Sequence, residues 1–257
     1  MQLQSKRIVV TGGAQGIGAS VVRAYAMEGA QVASLDILDD LGKQVAIKAS
    51  DKGPGIVRYY HCDISVKSAV EKAFSQAVTD LGGLDVMVNV AGVEKRVRGE
   101  DITEGDLDLM LNVNIKGTVY TNQIAFKYMR DRGGRIINFG SGSALIPATN
   151  QAHYSASKGA VHSWTRTVAH EWGRYGITVN SVVPAMRTAM FEGYRARLTA
   201  EQLKTLDAQL ARTIPIGGRL GDPDRDLAPV MVFLAGDAAH FITGQIIPVD
   251  GGLTPTR

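Results

Sequence analysis

A single cysteine, Cys62, among 257 residues rules out an intramolecular disulfide and any thiolate-rich metal site. Aromatic residues make up only 6% of the chain, which argues against an aromatic-packed β-sandwich; 29 glycines suit an α/β protein with many tight turns. Neither sign of charge dominates. The net charge is +3 with Lys and Arg scattered, so no basic block asks for nucleic acid and no acidic tail for a solvating role. No run reaches the roughly 18 continuous apolar residues needed to span a bilayer, and the opening MQLQSKRIVV lacks an apolar signal core. His61, His162, His170 and His240 show no ligand spacing with one another or with Cys62, which predicts no catalytic metal. The expectation is a soluble cytoplasmic protein that binds neither nucleic acid nor membrane. Repeats, low-complexity tracts and flexible linkers are also missing. With 45% hydrophobic residues, that predicts one domain over residues 1–257 around a sizeable core.

What is present alternates between two textures. Short β-branched runs (RIVVTG, QVASLD, GIVRYYH, LDVMVNVAG, GRIINFGS, then GITVNSVVP and GQIIPVDGG) are separated by stretches of helical length such as Ala19–Gly29, Lys67–Leu81 and Leu107–Arg130. Strands buried on both faces read as continuous apolar runs, and strands joined through helices lie parallel. The pattern predicts a doubly wound, Rossmann-type sheet of seven parallel strands with helices on both faces. Thr103 with Asp106, and Ser65 before the Val66 run, are predicted helix caps. The polar, Arg-rich stretch at about 186–218 reads as an excursion from that domain.

The first strand runs directly into Thr11-Gly-Gly-Ala-Gln-Gly-Ile-Gly18 and a helix. Gly12 permits a positive φ, Gly16 lets backbone approach a ligand, and Gly18 lets the helix pack close to the strand. The helix start, from Gln15 through Ile17, presents unpaired N–H groups and a positive dipole end, which suit a pyrophosphate. Asp36 ends the second strand 18 residues beyond Gly18, where a carboxylate can accept both hydroxyls of an adenosine ribose. A phosphate on that ribose would meet it as a like charge, and position 15 is Gln rather than a cation. This predicts NAD over NADP, although Asp36 could instead open the turn DILDD.

The segment His153-Tyr-Ser-Ala-Ser-Lys158 sets a phenol and an ammonium four residues apart, on one helix face about 5–6 Å apart at Cβ. A tyrosine acting as acid/base near neutrality must lose roughly two to three pKa units, about 3–4 kcal/mol. A cation about 4 Å away at an effective dielectric near 20 supplies about 4 kcal/mol. His153, on an adjacent helical position, faces differently and is expected in a structural or rim role rather than in catalysis. Ser141 is no hydrolase elbow, because Phe139 and Ser143 stand where glycines are needed.

Taken in order, the glycine loop, Asp63 in CDIS, Asn89-Val-Ala-Gly92, Asn114 in NVNIKG, Ser141 in NFGSGS, Tyr154-x-x-x-Lys158, Asn180 in VNSVVP and ITGQIIPVDGG resemble the short-chain dehydrogenase/reductase family over nearly the whole chain. The resemblance implies that Asp63 and Ile64 flank the adenine and that Asn89, Ala91 and Gly92 line the cofactor. It also implies that Asn114, Ser141, Tyr154 and Lys158 form the catalytic group. In that scheme Tyr154 exchanges a proton with the substrate oxygen while hydride moves between carbinol carbon and nicotinamide. Lys158 lowers the tyrosine pKa and binds the nicotinamide ribose, Ser141 steadies the substrate oxygen, and Asn114 holds a water, although Asn114 could simply tie strand ends together. The chain departs from the family pattern at three places. Val90 stands where a second Asn is usual; Ala185 follows Pro184 with Thr188 only four residues beyond that proline, so Thr188 is an uncertain cofactor contact; and Gly140 replaces a frequent second Ser.

Substrate choice is expected in the loops Val93–Gly99, Ser143–Gln151 and Met186–Gly218. Lys95, Arg96 and Arg98 in the first, and Arg187, Arg195 and Arg197 beside Met186, Met190, Phe191 and Tyr194 in the third, could grip an anionic substrate or form a solvated or subunit-contact face. The main reading is an NAD-dependent secondary-alcohol dehydrogenase or ketone reductase. The alternatives are a carrier-linked 3-oxoacyl reductase, which Asp36 with Gln15 disfavours, and a non-catalytic dinucleotide-sensing protein. Apolar stripes on Leu107–Arg130 and Val161–Gly173, with the family's habit, predict a homotetramer.

Overall fold

Apolar runs with both faces covered make the central strands. In the computed structural model, which describes residues 1–254 apart from the side chains of residues 189 and 190 (so the side chain of Met190 lies outside the described residues), β1 (Arg7–Thr11) is buried at every position but its first. The helix α1 (Gly16–Met27) leads to β2 (Gln31–Asp36), α2 (Asp39–Lys52) to β3 (Ile56–His61), and α3 (Lys67–Leu81) to β4 (Val86–Asn89). Two helical segments, α4 (Glu104–Leu109) and α5 (Thr118–Met129), precede β5 (Gly134–Phe139); α6 (Ala152–Trp172) precedes β6 (Ile177–Pro184). After it come α7 (Ala189–Arg195), α8 (Ala200–Thr213), α9 (Ala228–Ala235) and β7 (Ile246–Val249). The seven strands are parallel in the order β3-β2-β1-β4-β5-β6-β7, as the sequence pattern predicts. The edge strand β3 alternates exposed and covered positions, as a half-solvated strand should.

Alternation along each strand feeds two cores. Ile8 and Val10 of β1 join Val21, Val22, Tyr25, Val32 and Met231 on one face, under α1 and α9. Val9 joins Leu35, Phe74, Ala125, Met129 and Val168 on the other, under α3, α5 and α6. Strand order reverses between β1 and β4, and the crevice at the carboxyl ends there is where such folds take ligands.

The second face also carries a buried polar layer. Asn89 Nδ2 donates to Asn138 Oδ1 at 2.9 Å, Asn138 Nδ2 donates to Thr165 Oγ1 at 3.0 Å, and Asn122 Nδ2 donates to Asn138 Oδ1 at 2.9 Å. Thr121 donates to Asn89 Oδ1 at 2.5 Å and Trp164 Nε1 to Asn122 Oδ1 at 3.0 Å. Neighbouring strands pair Asn89 with Asn138 and Asn138 with Ser181, so this row ties β4 and β5 to α5 and α6.

Thr103 and Asp106 form the predicted capping box at α4. Ser65 does not cap α3. Val66 occupies that position without a side-chain bond, and Ser65 gives both its N–H (2.9 Å) and its hydroxyl (2.7 Å) to Asp63 Oδ1. The stretch predicted as one helix over Leu107–Arg130 is interrupted by a π-helical segment, Met110–Gly117, centred near Asn114; such insertions cluster at functional sites. The excursion after β6 is helical as expected. Thr199 and Gln202 cap α8, which buries none of its residues, and Arg195 pairs with Asp207 to hold α7 against it.

Gly140 has a structural cause. A Cβ there would lie 2.0 Å from His162 Nε2 and 2.8 Å from Ser181 Oγ, so the imidazole fills the space a serine side chain needs. Burial pushes the His162 pKa down to about 4, keeping the ring neutral, and neither its Nε2 nor Ser181 Oγ finds a hydrogen-bond partner among the described residues. Gly140→Ser is expected to lower stability by about 1–3 kcal/mol through overpacking. In the His162→Ala background the same change should cost far less, as measured by denaturant midpoints; equal costs in both backgrounds would show that the imidazole is not the obstacle.

Candidate active site

Glycines shape the crevice floor. Gly12 has φ +71°, and a Cβ on it would fall 2.7 Å from the Ala91 backbone, so the turn after β1 touches the end of β4. A Cβ on Gly18 would lie 1.9 Å from the Gly12 carbonyl oxygen, which lets α1 start directly on that turn. Gly16, at φ +54°, faces open space, with Gln15 exposed and Ile17 partly buried against the core. The first-turn amides of α1 have no partner within the helix and can receive an anion.

Asp36 ends β2 with its carboxylate fixed by three backbone donors: Ala14 N (3.0 Å), Ile37 N (2.8 Å) and Leu38 N (3.1 Å). It is part-exposed, its neighbour Ile37 is apolar and 58% exposed, and no cation stands at either position. These groups fit a dinucleotide: a glycine cradle and helix start for the pyrophosphate, and an oriented carboxylate for ribose hydroxyls. Asp63 spends Oδ1 on Ser65 and keeps Oδ2.

Two residues serve the fold where the resemblance implied cofactor contacts. The Asn89 side chain is wholly engaged in the buried polar layer, so only its backbone can face a ligand. Ile64 is buried in the core, and its Cδ1 stands 2.7 Å from where a Gly117 Cβ would lie, so it packs the π segment. Ala91, whose N–H donates to Thr11 O at 3.1 Å, and exposed Gly92 do border the crevice. Gly92 matters through its missing side chain, since a Cβ would sit 3.3 Å from Lys158 Nζ and 3.2 Å from Asn114 Oδ1.

Asn114 is a tie. Its Oδ1 accepts from Val93 N and its Nδ2 donates to Val93 O, both at 2.9 Å, and Nδ2 also reaches Ser157 Oγ at 3.0 Å. Its carbonyl accepts from the Thr118 hydroxyl at 2.8 Å. Asn114 thereby fixes the loop after β4 to α6, and its polar atoms are occupied by protein groups. Thr188 caps α7 by accepting from Phe191 N at 3.3 Å, which leaves its own hydroxyl proton to donate. The segment before it is anchored by Arg187 N donating to Gly221 O at 2.7 Å.

Ser141 and Tyr154 share one cleft, lined also by Ser143, Gln151, Val183, Pro184 and Leu253. Ser141 Oγ accepts from both the N–H (3.2 Å) and the hydroxyl (3.0 Å) of Ser143, so its own proton is left to donate toward the Tyr154 oxygen or, in its place, a substrate oxygen. Lys158 is buried on the same helix as Tyr154, donating to Phe139 O at 2.9 Å, with Nζ 5.9 Å from the phenol ring centre. The lysine alone does not depress the phenol. Burial is the largest influence and raises the Tyr154 pKa, the Ser141 hydroxyl pulls it down, and the Glu94 charge raises it again. Burial lowers Lys158 itself to about 8.

Glu94 and Gln151 line this cleft too; both lie in the loops expected to choose the substrate, but neither was singled out by the sequence. The available signal was one acid among the cations of Val93–Gly99. Those cations are committed: Lys95 to Asp106, Arg96 to Glu94 at 3.0 Å, and Arg98 to Glu100 and Asp101. Arg187 and Arg195 pair with Glu192 and Asp207. His153, expected in a structural or rim role, is buried at 4% exposure, as the structural one requires. The C-terminal turn closes the cleft: Asp250 accepts from Gly252 N (2.9 Å) and Thr254 N (2.8 Å), and the Thr254 methyl lies against Gly142.

Comparison with known proteins bears on the family and the fold. A family profile described as enoyl-(acyl carrier protein) reductase matches residues 12–254. The chain is 35% identical to a 3-oxoacyl-acyl-carrier-protein reductase of Thermotoga maritima, over 98% of this chain and 99% of that protein. It is 33% identical to a D-threitol dehydrogenase of Mycolicibacterium smegmatis, over 98% and 94%. A solved short-chain dehydrogenase/reductase from Serratia marcescens superposes with a TM-score of 0.89 at 36% identity, covering 99% of this chain and all of that one.

Burying Lys158 costs stability that its removal should return. A pKa lowered from 10.5 to about 8 corresponds to roughly 3 kcal/mol. Lys158→Met is therefore expected to raise the thermal midpoint by roughly 3–8 °C at neutral pH. A group held below its unfolded pKa disfavours the fold while protonated, so the gap between variant and wild type should be full below about pH 8 and close toward 10.5. A midpoint that falls at pH 7 would contradict this account.

Proposed function

Because the chain belongs to the short-chain dehydrogenase/reductase family of oxidoreductases, which are typically dinucleotide-dependent, we propose that it is an NAD-dependent enzyme interconverting a secondary alcohol and a ketone. The observation that carries this reading is the placement of Ser141 and Tyr154 in one cleft, with Lys158 buried behind them and the glycine cradle at the neighbouring strand ends. When bound, the dinucleotide supplies the hydride acceptor or donor and, oxidised, a positive ring.

The residues divide the remaining work. The Tyr154 phenol hydrogen-bonds the substrate oxygen and takes its proton in the oxidative direction, or returns it in reduction. Ser141, its oxygen held by Ser143, donates to the same oxygen and stabilises the charge that develops there. Lys158, free of competing carboxylates and aimed at the crevice beside Gly92, binds ribose hydroxyls and adds positive potential behind the phenol. Asn114 keeps the loop after β4 in register with that lysine. Asp36 favours NAD, because its oriented carboxylate accepts hydroxyls and opposes a ribose phosphate. The same carboxylate weighs against a carrier-linked 3-oxoacyl reductase drawing on NADP, and the complete Ser141, Tyr154 and Lys158 set weighs against a purely sensing role.

Tyr154→Phe should lower kcat by about 10²–10⁴-fold while dinucleotide affinity stays within a fewfold. A variant turning over a secondary alcohol at a comparable rate would end the assignment. Glu94→Gln should move the pH limb reporting tyrosine ionisation to lower pH, since a like charge that raises the phenol pKa is gone. Fluorescence titration is expected to rank NADH tighter than NADPH by at least about tenfold; the reverse ranking would replace NAD with NADP in this reading.

A further inference from the structure

Two carboxylates line the cleft with Ser141 and Tyr154, and they are used differently. Asp250 turns its oxygens onto its own chain, accepting from Gly252 and Thr254. Glu94 does not. Its Oε1 accepts from Arg96 Nε at 3.0 Å and from Gln151 Nε2, while Oε2 takes no hydrogen bond from the described residues. The Glu94 side chain is 29% exposed, and Gln151, itself 8% exposed, holds it from the buried side. A carboxylate gripped by one oxygen presents the other as an oriented acceptor in the cleft that holds the phenol.

Its charge sets what can bind. Arg96 offsets part of the negative charge, so a neutral donor suffices; a substrate carboxylate would meet Glu94 as a like charge, while Lys95 and Arg98 of the same loop are paired with Asp106 and Glu100. We propose that Glu94 determines substrate specificity by accepting a hydrogen bond from a second hydroxyl beside the reacting carbinol, so that the enzyme favours small vicinal diols and polyols and disfavours hydroxy acids. This rests on the dehydrogenase reading of Tyr154 above. A hydrogen bond to a charged acceptor is worth about ten- to a hundredfold in discrimination.

Initial rates on butane-2,3-diol, butan-2-ol and 3-hydroxybutyrate, with wild type and Glu94→Gln, test it. Wild type should show kcat/KM for the diol at least about tenfold above the mono-alcohol, with the hydroxy acid lowest. In the variant the diol preference should collapse and the hydroxy acid gain relative to the diol. A preference that survives substitution, or turnover of butan-2-ol with no diol preference in wild type, overturns the role of Glu94 and leaves the dehydrogenase reading standing. If none of the three is turned over, the dehydrogenase reading fails for this class. Saturation-transfer NMR then decides the carboxylate's role separately: diol binding that depends on Glu94 upholds it, and binding absent or indifferent to the substitution overturns it.

Discussion

The structure depends on a layer of amide and hydroxyl groups buried between the sheet and two helices. Asn138 sits at its centre, accepting from Asn89 and Asn122 and donating to Thr165. Each of these bonds is modest in net terms, but stranding one partner in the dry interior costs about 1–3 kcal/mol, so α6 is held in one register against β4 and β5. Tyr154 and Lys158 ride on the opening turns of that same helix, upstream of Thr165. Apolar packing alone would let the helix slide at small cost; directional bonds do not.

At the site itself, burial works against ionisation. The phenol is harder to deprotonate and the ammonium easier to discharge, because both side chains are largely buried. Burial also strengthens the influence of any charge placed beside these groups. Positive charge brought next to the phenol would favour its ionised form, while it would further disfavour a charged Lys158. Stability is given up at the place where chemistry is done, a common trade at active sites.

Much of this was legible in the sequence because the signals were local. Periodicity marked the strands, the glycine spacing marked the turn at Gly12 and Gly18, and the interval to Asp36 marked the end of β2. What escaped was set by tertiary context. Asn89 lies in a motif that points to the cofactor, yet Thr121 and Asn138, distant in sequence, claim its side chain. The spacing of Tyr154 and Lys158 gave their shared face but not their separation, which Phe139 sets by accepting from the lysine. Ser65 resembled a cap until Asp63 took both its donors. Glu94 was hidden among cations, and the pairing that turns it toward the cleft comes from Gln151, far along the chain.

The turn from Asp250 to Thr254 that leans on Gly142 has a consequence for biogenesis. Strands β1 to β5 and their helices lie within residues 7–139, so the nucleotide half leaves the ribosome early and can begin to pair. Leu253, part of the cleft's wall, is synthesised long after β5. A nascent chain halted before it would carry the glycine cradle beside a cleft whose wall around Ser141 and Tyr154 is still missing a side.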